Sequence, residues 1–193
     1  IGTGTSYDNG LTNVARLHDA YMGKAIYIEG IGTQSGLADD TKGLALGVGG
    51  TGVIMKAQMG LDQLTAHVQS LPHGSVVVDV FGFSRGAAAA RHFINKLLAL
   101  NLGRPLRVGF VGLFDTVAAI GSAADGLDTS DDNNLGVSLY LAPGCADQVV
   151  QLTAHHEYRV NFALNSISSI HREIPLYGAH SDIGGGYLAG EER

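Results

Sequence analysis

The sequence predicts an α/β domain, a three-layer sandwich built on a mostly parallel sheet. Three observations carry that prediction. Short β-branched runs alternate with longer segments of helical periodicity, the pattern of parallel strands joined by crossover helices. The runs at 75–81 (S-V-V-V-D-V-F) and 106–114 (L-R-V-G-F-V-G-L-F) are almost continuously apolar, as strands buried on both faces require. The 193 residues, 45% of them hydrophobic, suffice for one domain with a sizeable core.

Each element follows from its own pattern. Residues 1–10 are rich in glycine, threonine and serine and read as a loop. Residues 12–22 place Val14, Ala15, Leu17, Ala20 and Tyr21 at helical spacing. K-A-I-Y-I-E at 24–29 alternates and is expected to be a strand, followed by a glycine-rich connection over 30–50. Residues 52–71 read as a helix, with Ile54, Met55, Met59, Leu61, Leu64 and Val68 on a broad apolar face. The strand at 75–81 leads into a helix over 87–100 that carries Phe93, Leu97, Leu98 and Leu100. After the strand at 106–114 comes a soft segment, 119–135, of glycine, alanine, serine, aspartate and asparagine. V-V-Q-L-T within 146–154 is strand-like, 155–164 is expected to turn helical, and 171–176 is the last short strand. A turn rich in glycine and histidine ends the pattern. No internal repeat or dividing linker appears, so 1–193 reads as a single catalytic domain.

Composition narrows the function classes. A net charge of −6 and a pI near 5.7 disfavour a general nucleic-acid binder and electrostatic docking on anionic lipid. No apolar run is long and clean enough for a transmembrane span, and no signal peptide is visible. Cys145 is the single cysteine, which excludes an internal disulfide. With no initiator methionine and an abrupt end at Arg193, the chain is expected to be part of something longer.

The chemistry concentrates at 76–90, V-V-V-D-V-F-G-F-S-R-G-A-A-A-A. Gly82-Phe83-Ser84-Arg85-Gly86 fits G-x-S-x-G, the nucleophile elbow of α/β-hydrolases. The five-residue pattern alone is a weak signal in a chain with 28 glycines, but here a buried strand precedes it and a helix follows. The glycines let strand and helix backbones approach, and the turn lifts the Ser84 hydroxyl above the sheet edge at the positive end of the helix.

A serine nucleophile needs a base to take its proton and an acid to orient that base. Both should follow in chain order, past the C-terminal ends of later strands. Asp115, directly after the strand at 106–114, fits the acid, with Asp125 and Asp128 as competitors in the softer loop. Asp182 lies too near the candidate base in sequence to be a natural orienter. His180, in G-A-H-S-D-I-G-G-G-Y after the last strand, fits the base in a loop its glycines allow to bend sharply. His18, His73 and His92 lie on helices or before a strand, His155 and His156 start the expected helix, and His171 begins a strand. The oxyanion hole would use the main-chain N–H of Arg85, with a second donor from Gly2, Thr3 or Gly4.

Other readings weigh less. G-V-G-G-T-G at 47–52 is a literal G-x-G-x-x-G, but residues 42–46 make a poor preceding strand, and Asp79 lies inside its strand instead of at its end. A metal hydrolase could draw on His155, His156, Glu157, His180 and Asp182, yet adjacent histidines diverge on a helix and no H-E-x-x-H appears. Asp182 with loop carbonyls could hold a structural calcium, though nothing demands it. The expectation is therefore no metal and no cofactor. A non-catalytic binding module or inactive fragment of the same fold is the remaining alternative, and the full Ser84, Asp115 and His180 set argues against it.

Five segments together go further. T-N-V-A-R-L at 12–17, G-I-G-T at 30–33, D-V-F-G-F-S-R-G-A-A-A-A-R at 79–91, V-G-L-F-D-T-V at 111–117 and H-S-D-I-G-G-G-Y at 180–187 occur in order along nearly the whole chain. In these the chain resembles the α/β-hydrolase family that includes type VI secretion phospholipase effectors, once catalogued as a domain of unknown function. The resemblance implies a phospholipase A-type serine esterase with Ser84 as nucleophile, Asp115 as acid and His180 as base. A serine carboxylesterase on small soluble esters is the alternative activity. The resemblance further implies an antibacterial toxin, cytoplasmic in its producer and then exported by a secretion apparatus. Its destination would be the periplasm or membrane surface of a neighbouring cell, and an immunity protein would protect kin. Family members usually open with a strand ending in F-D-G-T. Here only I-G-T-G-T remains, so the first strand is expected to be absent. Members also run beyond the triglycine loop, often into a region proposed to contact membrane.

Overall fold

The computed structural model describes residues 12–30, 52–118 and 136–185. Among the described residues four strands form one sheet in the order β1 (Val76–Phe83), β2 (Leu106–Phe114), β3 (Gln148–Ala154) and β4 (Arg172–Leu176). Every neighbouring pair is parallel. The C-terminal ends of all four strands therefore share one edge of the sheet, the position where open parallel sheets collect their functional groups.

The α-helices among the described residues are α1 (Asn13–Ala20), α2 (Val53–Ser70), α3 (Arg85–Ala99) and α4 (His180–Gly184). Thr12 caps α1, its hydroxyl accepting the Ala15 N–H at 3.3 Å. Helix α3 packs on β1 and against α2. Four consecutive alanines, Ala87 to Ala90, are buried there, and their small side chains let the helix lie close. Leu61, Leu64 and Val68 of α2, Ile94 and Leu97 of α3, and Val108, Val111 and Leu113 of β2 form the main core. Among the described residues no helix is long and apolar enough to cross a membrane.

The register of β1 and β2 slips once. Val78 faces Val108, whereas Asp79 faces Phe110, so Gly109 is the extra residue of a bulge. Asp79 repairs the break by accepting the Phe110 N–H at 2.9 Å, and its other oxygen takes the Tyr21 hydroxyl at 2.9 Å. Asp79 is thus a structural residue of the strand.

Several sequence expectations need correction. Residues 24–29 form no strand ladder. A strand needs a hydrogen-bonded neighbour, and this segment instead faces β1 across a cavity of about 430 Å³ lined also by α1 and α2. None of Ser84, Asp115 or His180 lines that cavity. The expected helix over 155–164 shrinks to a single 3₁₀ turn at Val160–Phe162. The Glu157 carboxylate captures the Arg159 N–H at 2.9 Å, a local bond that competes with helical pairing. The residues around His180 form the short helix α4 instead of a loop. Asp182 accepts the Ala179 N–H at 2.7 Å at its start, and Gly185, at φ 74°, ends it. Gly52 is the N-cap of α2, and the rest of the G-V-G-G-T-G stretch lies outside the described residues.

Candidate active site

Ser84 sits at the junction of β1 and α3 with φ 58° and ψ −131°, a conformation that L-residues rarely hold. Hydrogen bonds hold it there: its N–H donates to Phe114 O at 3.0 Å, and its carbonyl accepts the Ala87 and Ala88 N–H groups at 2.9 and 3.2 Å. Gly82 is obligatory for this turn. A Cβ on it would lie 2.6 Å from the Gly86 carbonyl oxygen and 2.7 Å from Ala87 Cα. Although Ser84 occupies the N-cap position, its side chain makes no capping bond. The hydroxyl lies instead 2.8 Å from His180 Nε2.

Asp115 follows β2 directly and also has positive φ, 43°. Its N–H donates to Leu152 O at 2.7 Å, and its Oδ1 accepts the Ala154 N–H at 2.9 Å. Two bonds to β3 thus set the direction of Oδ2, which lies 2.6 Å from His180 Nδ1. An ionised carboxylate can only accept, so Nδ1 carries the proton and Nε2 is left to accept from the Ser84 hydroxyl. All three side chains are shielded: Ser84 is 3% exposed, Asp115 2% and His180 4%. Low dielectric strengthens both hydrogen bonds.

The His180 ring is packed on two sides. The Phe83 ring lies 4.7 Å away, centroid to centroid, and the Phe162 ring 4.9 Å away, edge-on at 72°. Gly184 permits the first contact, since a Cβ there would fall 2.2 Å from the Phe83 ring. Glu157 accepts the His180 main-chain N–H at 3.3 Å. Hydrogen bonds from the Arg159 guanidinium hold its carboxyl down to a pKa of about 2. The Arg85 side chain is buried beside the elbow, and desolvation lowers its pKa to about 10, still a cation at neutral pH. Its main-chain N–H is the first of α3, at the positive end of the helix.

Of the residues singled out from sequence, Ser84, Asp115 and His180 converge. Gly2, Thr3, Gly4, Asp125 and Asp128 lie outside the described residues. Asp182 turns to its own helix start. The His155 ring meets Tyr177 edge-on, the His156 ring lies tilted against it, and His171 Nε2 pairs with Leu141 O at 2.9 Å. Among the described residues no three His, Cys, Asp or Glu side chains gather as a metal site. Phe83, Phe162 and the main-chain N–H of Ala154 were not anticipated. A parallel neighbour strand after β2 is the one signal that could have pointed to Ala154.

The model of the T6SS phospholipase effector Tle1-like catalytic domain matches residues 99–193, the stretch that holds Asp115 and His180. The solved structure of the Tle1 effector bound to the VgrG spike from the Type 6 secretion system is similar at 35% identity over 92% of this chain, with a TM-score of 0.69. Over these spans the chain is similar to the Tle1-like phospholipase effectors. It spans 40% of the length of that Tle1 effector. An uncharacterized protein from Pseudomonas aeruginosa aligns at 28% identity over 70% of this chain and 22% of its own, with a TM-score of 0.45. No curated protein matches the chain. The likeness to that structure agrees with the parallel sheet in showing an α/β fold.

Proposed function

We propose that this chain is a single catalytic domain, a serine ester hydrolase that cleaves acyl esters of glycerophospholipids. The observation that carries the reading is the continuous line Asp115–His180–Ser84, with contacts of 2.6 and 2.8 Å, set on a left-handed serine between strand and helix. In the reaction, Ser84 Oγ attacks the ester carbonyl while His180 Nε2 takes its proton. Asp115 fixes the tautomer and stabilises the imidazolium. The Arg85 N–H binds the oxyanion, and Gly2 or Thr3 supplies the second donor. His180 then returns the proton to the leaving alkoxide. Water, deprotonated by His180, next attacks the acyl-enzyme, and as the fatty acid leaves His180 returns that proton to Ser84 Oγ. These steps use side chains and main chain of the protein alone.

The match to the Tle1-like catalytic domain supports phospholipid as the substrate class and type VI secretion as the delivery route. The VgrG spike bound by the related Tle1 effector supports a spike-type component of the secretion apparatus as a partner. The resemblance extends the reading to an antibacterial toxin restrained by an immunity protein and acting at the periplasm or membrane surface of the target cell.

Fatty-acid release from phosphatidylcholine and phosphatidylethanolamine vesicles tests the proposal, beside a soluble short-chain ester. The Ser84→Ala protein should lose more than about 10⁴-fold of the rate on both. Serine-dependent cleavage of the soluble ester alone would return the substrate to small esters. Undiminished release by Ser84→Ala would refute the mechanism.

A further inference from the structure

The connection from β3 to β4 carries a second set of contacts to His180, distinct from its bonds to Asp115 and Ser84. They begin at one ion pair. Glu157 Oε1 accepts the Arg159 Nε–H at 2.8 Å, and Oε2 accepts Nη2–H at 2.6 Å. This forked, two-bond geometry fixes the guanidinium plane as well as its position. From Glu157 one link runs directly to the main-chain N–H of His180. The other runs through Arg159, whose guanidinium carbon stands 3.7 Å from the centroid of the Phe162 ring, and on to the edge-on contact of that ring with the imidazole. A single carboxylate thus restrains both the backbone and the ring of His180.

We propose that Glu157, Arg159 and Phe162 are positioning residues. They hold the imidazole against Phe83 in the one orientation that reaches Asp115 and Ser84 together. The physical reason is geometric. An imidazole free to rotate away would meet only one partner, and a displacement of about 1 Å can cost about 10²-fold in rate. Asp115 grips one nitrogen, which leaves rotation about that hydrogen bond open. The Phe83 and Phe162 rings close it from two sides. The Arg159 side chain is more than half exposed, whereas Glu157 is largely covered, so the clamp reaches from solvent to the buried histidine.

The inference rests on His180 being the base, and the test separates the two ideas. Steady-state kinetics on a soluble ester and the low-field NMR signal of the His180 Nδ1 proton are measured for four substitutions. Phe162→Ala should lower kcat about 10- to 100-fold with KM unchanged within about twofold. Its Nδ1 signal should broaden. Phe162→Tyr, which keeps the ring, should restore both. Glu157→Gln, which keeps one acceptor oxygen but breaks the forked ion pair with Arg159, should lower kcat several-fold. It also serves if Phe162→Ala does not fold. Ser84→Ala should abolish turnover yet keep a sharp Nδ1 signal. Wild-type kcat and an unbroadened signal in both Phe162→Ala and Glu157→Gln would overturn the clamp. So would a loss confined to KM, or one that tyrosine does not restore. Activity retained by Ser84→Ala would strike the reaction mechanism alone, because the NMR comparison would still decide the clamp.

Discussion

Asp115 shows how much one side chain can be asked to do. One oxygen is spent on the Ala154 N–H and the other on His180 Nδ1, so the carboxylate cannot turn without losing a buried bond. Asp115→Asn would face Nδ1 with an amide that can donate, inverting the tautomer. A fall in kcat of about 10⁴-fold is expected, the order seen when such a tautomer is wrong, with the circular dichroism unchanged. Asp125→Asn and Asp128→Asn, assayed in parallel, should keep nearly full rate. Glu157 makes a different prediction. Its pKa falls from 4.5 to about 2 on folding. A lowered carboxylate pKa stabilises the fold above the unfolded value and loses that contribution as the pH drops through the folded one. The stability gap between wild type and Glu157→Gln should therefore be constant above about pH 5 and shrink toward pH 2, as thermal melts would record.

At the scale of elements, the elbow is a contact between two backbones. Gly82→Ala would drive a methyl into the Gly86 carbonyl and Ala87, neither of which is a flexible side-chain end. The strand and helix would have to separate, at a cost of about 1–3 kcal/mol, and the Ser84–His180 bond would lengthen. Urea denaturation and ester turnover should both register the change, with turnover the more sensitive. The start of α1 offers a contrasting case. Thr12→Ala removes the side-chain cap but keeps the main-chain bridge of residue 12 to Gly185 at the end of α4, and should cost about 1 kcal/mol with kcat little changed. Helix starts and glycine turns of this kind were legible in the sequence because their causes are local. The strand expected at 24–29 was not, because a ladder depends on a neighbour elsewhere in the chain.

Across the whole molecule, a buried polar network ties the back of the elbow helix to the rest of the fold. Arg91 of α3 donates to Leu139 O at 2.5 Å and to Asn165 O at 2.9 Å. Asn165 in turn accepts the Ala118 N–H at 2.6 Å, just past Asp115. Gln151 of β3 donates to Asn165 O and to Glu173 of β4. One network thus sets the segments that follow β2 and lead into β4. Arg91→Leu would leave two buried carbonyls without this donor, and a destabilisation of about 3–5 kcal/mol is expected from the urea midpoint. Residual folded protein should keep an unchanged KM.

The sequence by itself determined the parallel α/β layout, the elbow serine and the order serine, aspartate, histidine. These are written in apolar runs, glycine spacing and chain order, all of which act over a few residues. Tertiary structure alone decided which aspartate meets His180, because the bonds from β3 that orient Asp115 join residues 37 to 39 apart. It also decided that Asp182 turns to its own helix and that 155–164 is no helix. Above all, it brought Glu157, Arg159 and Phe162 around the imidazole. Their contacts with His180 form only when β3 and β4 lie side by side, and no periodicity or motif encodes that meeting.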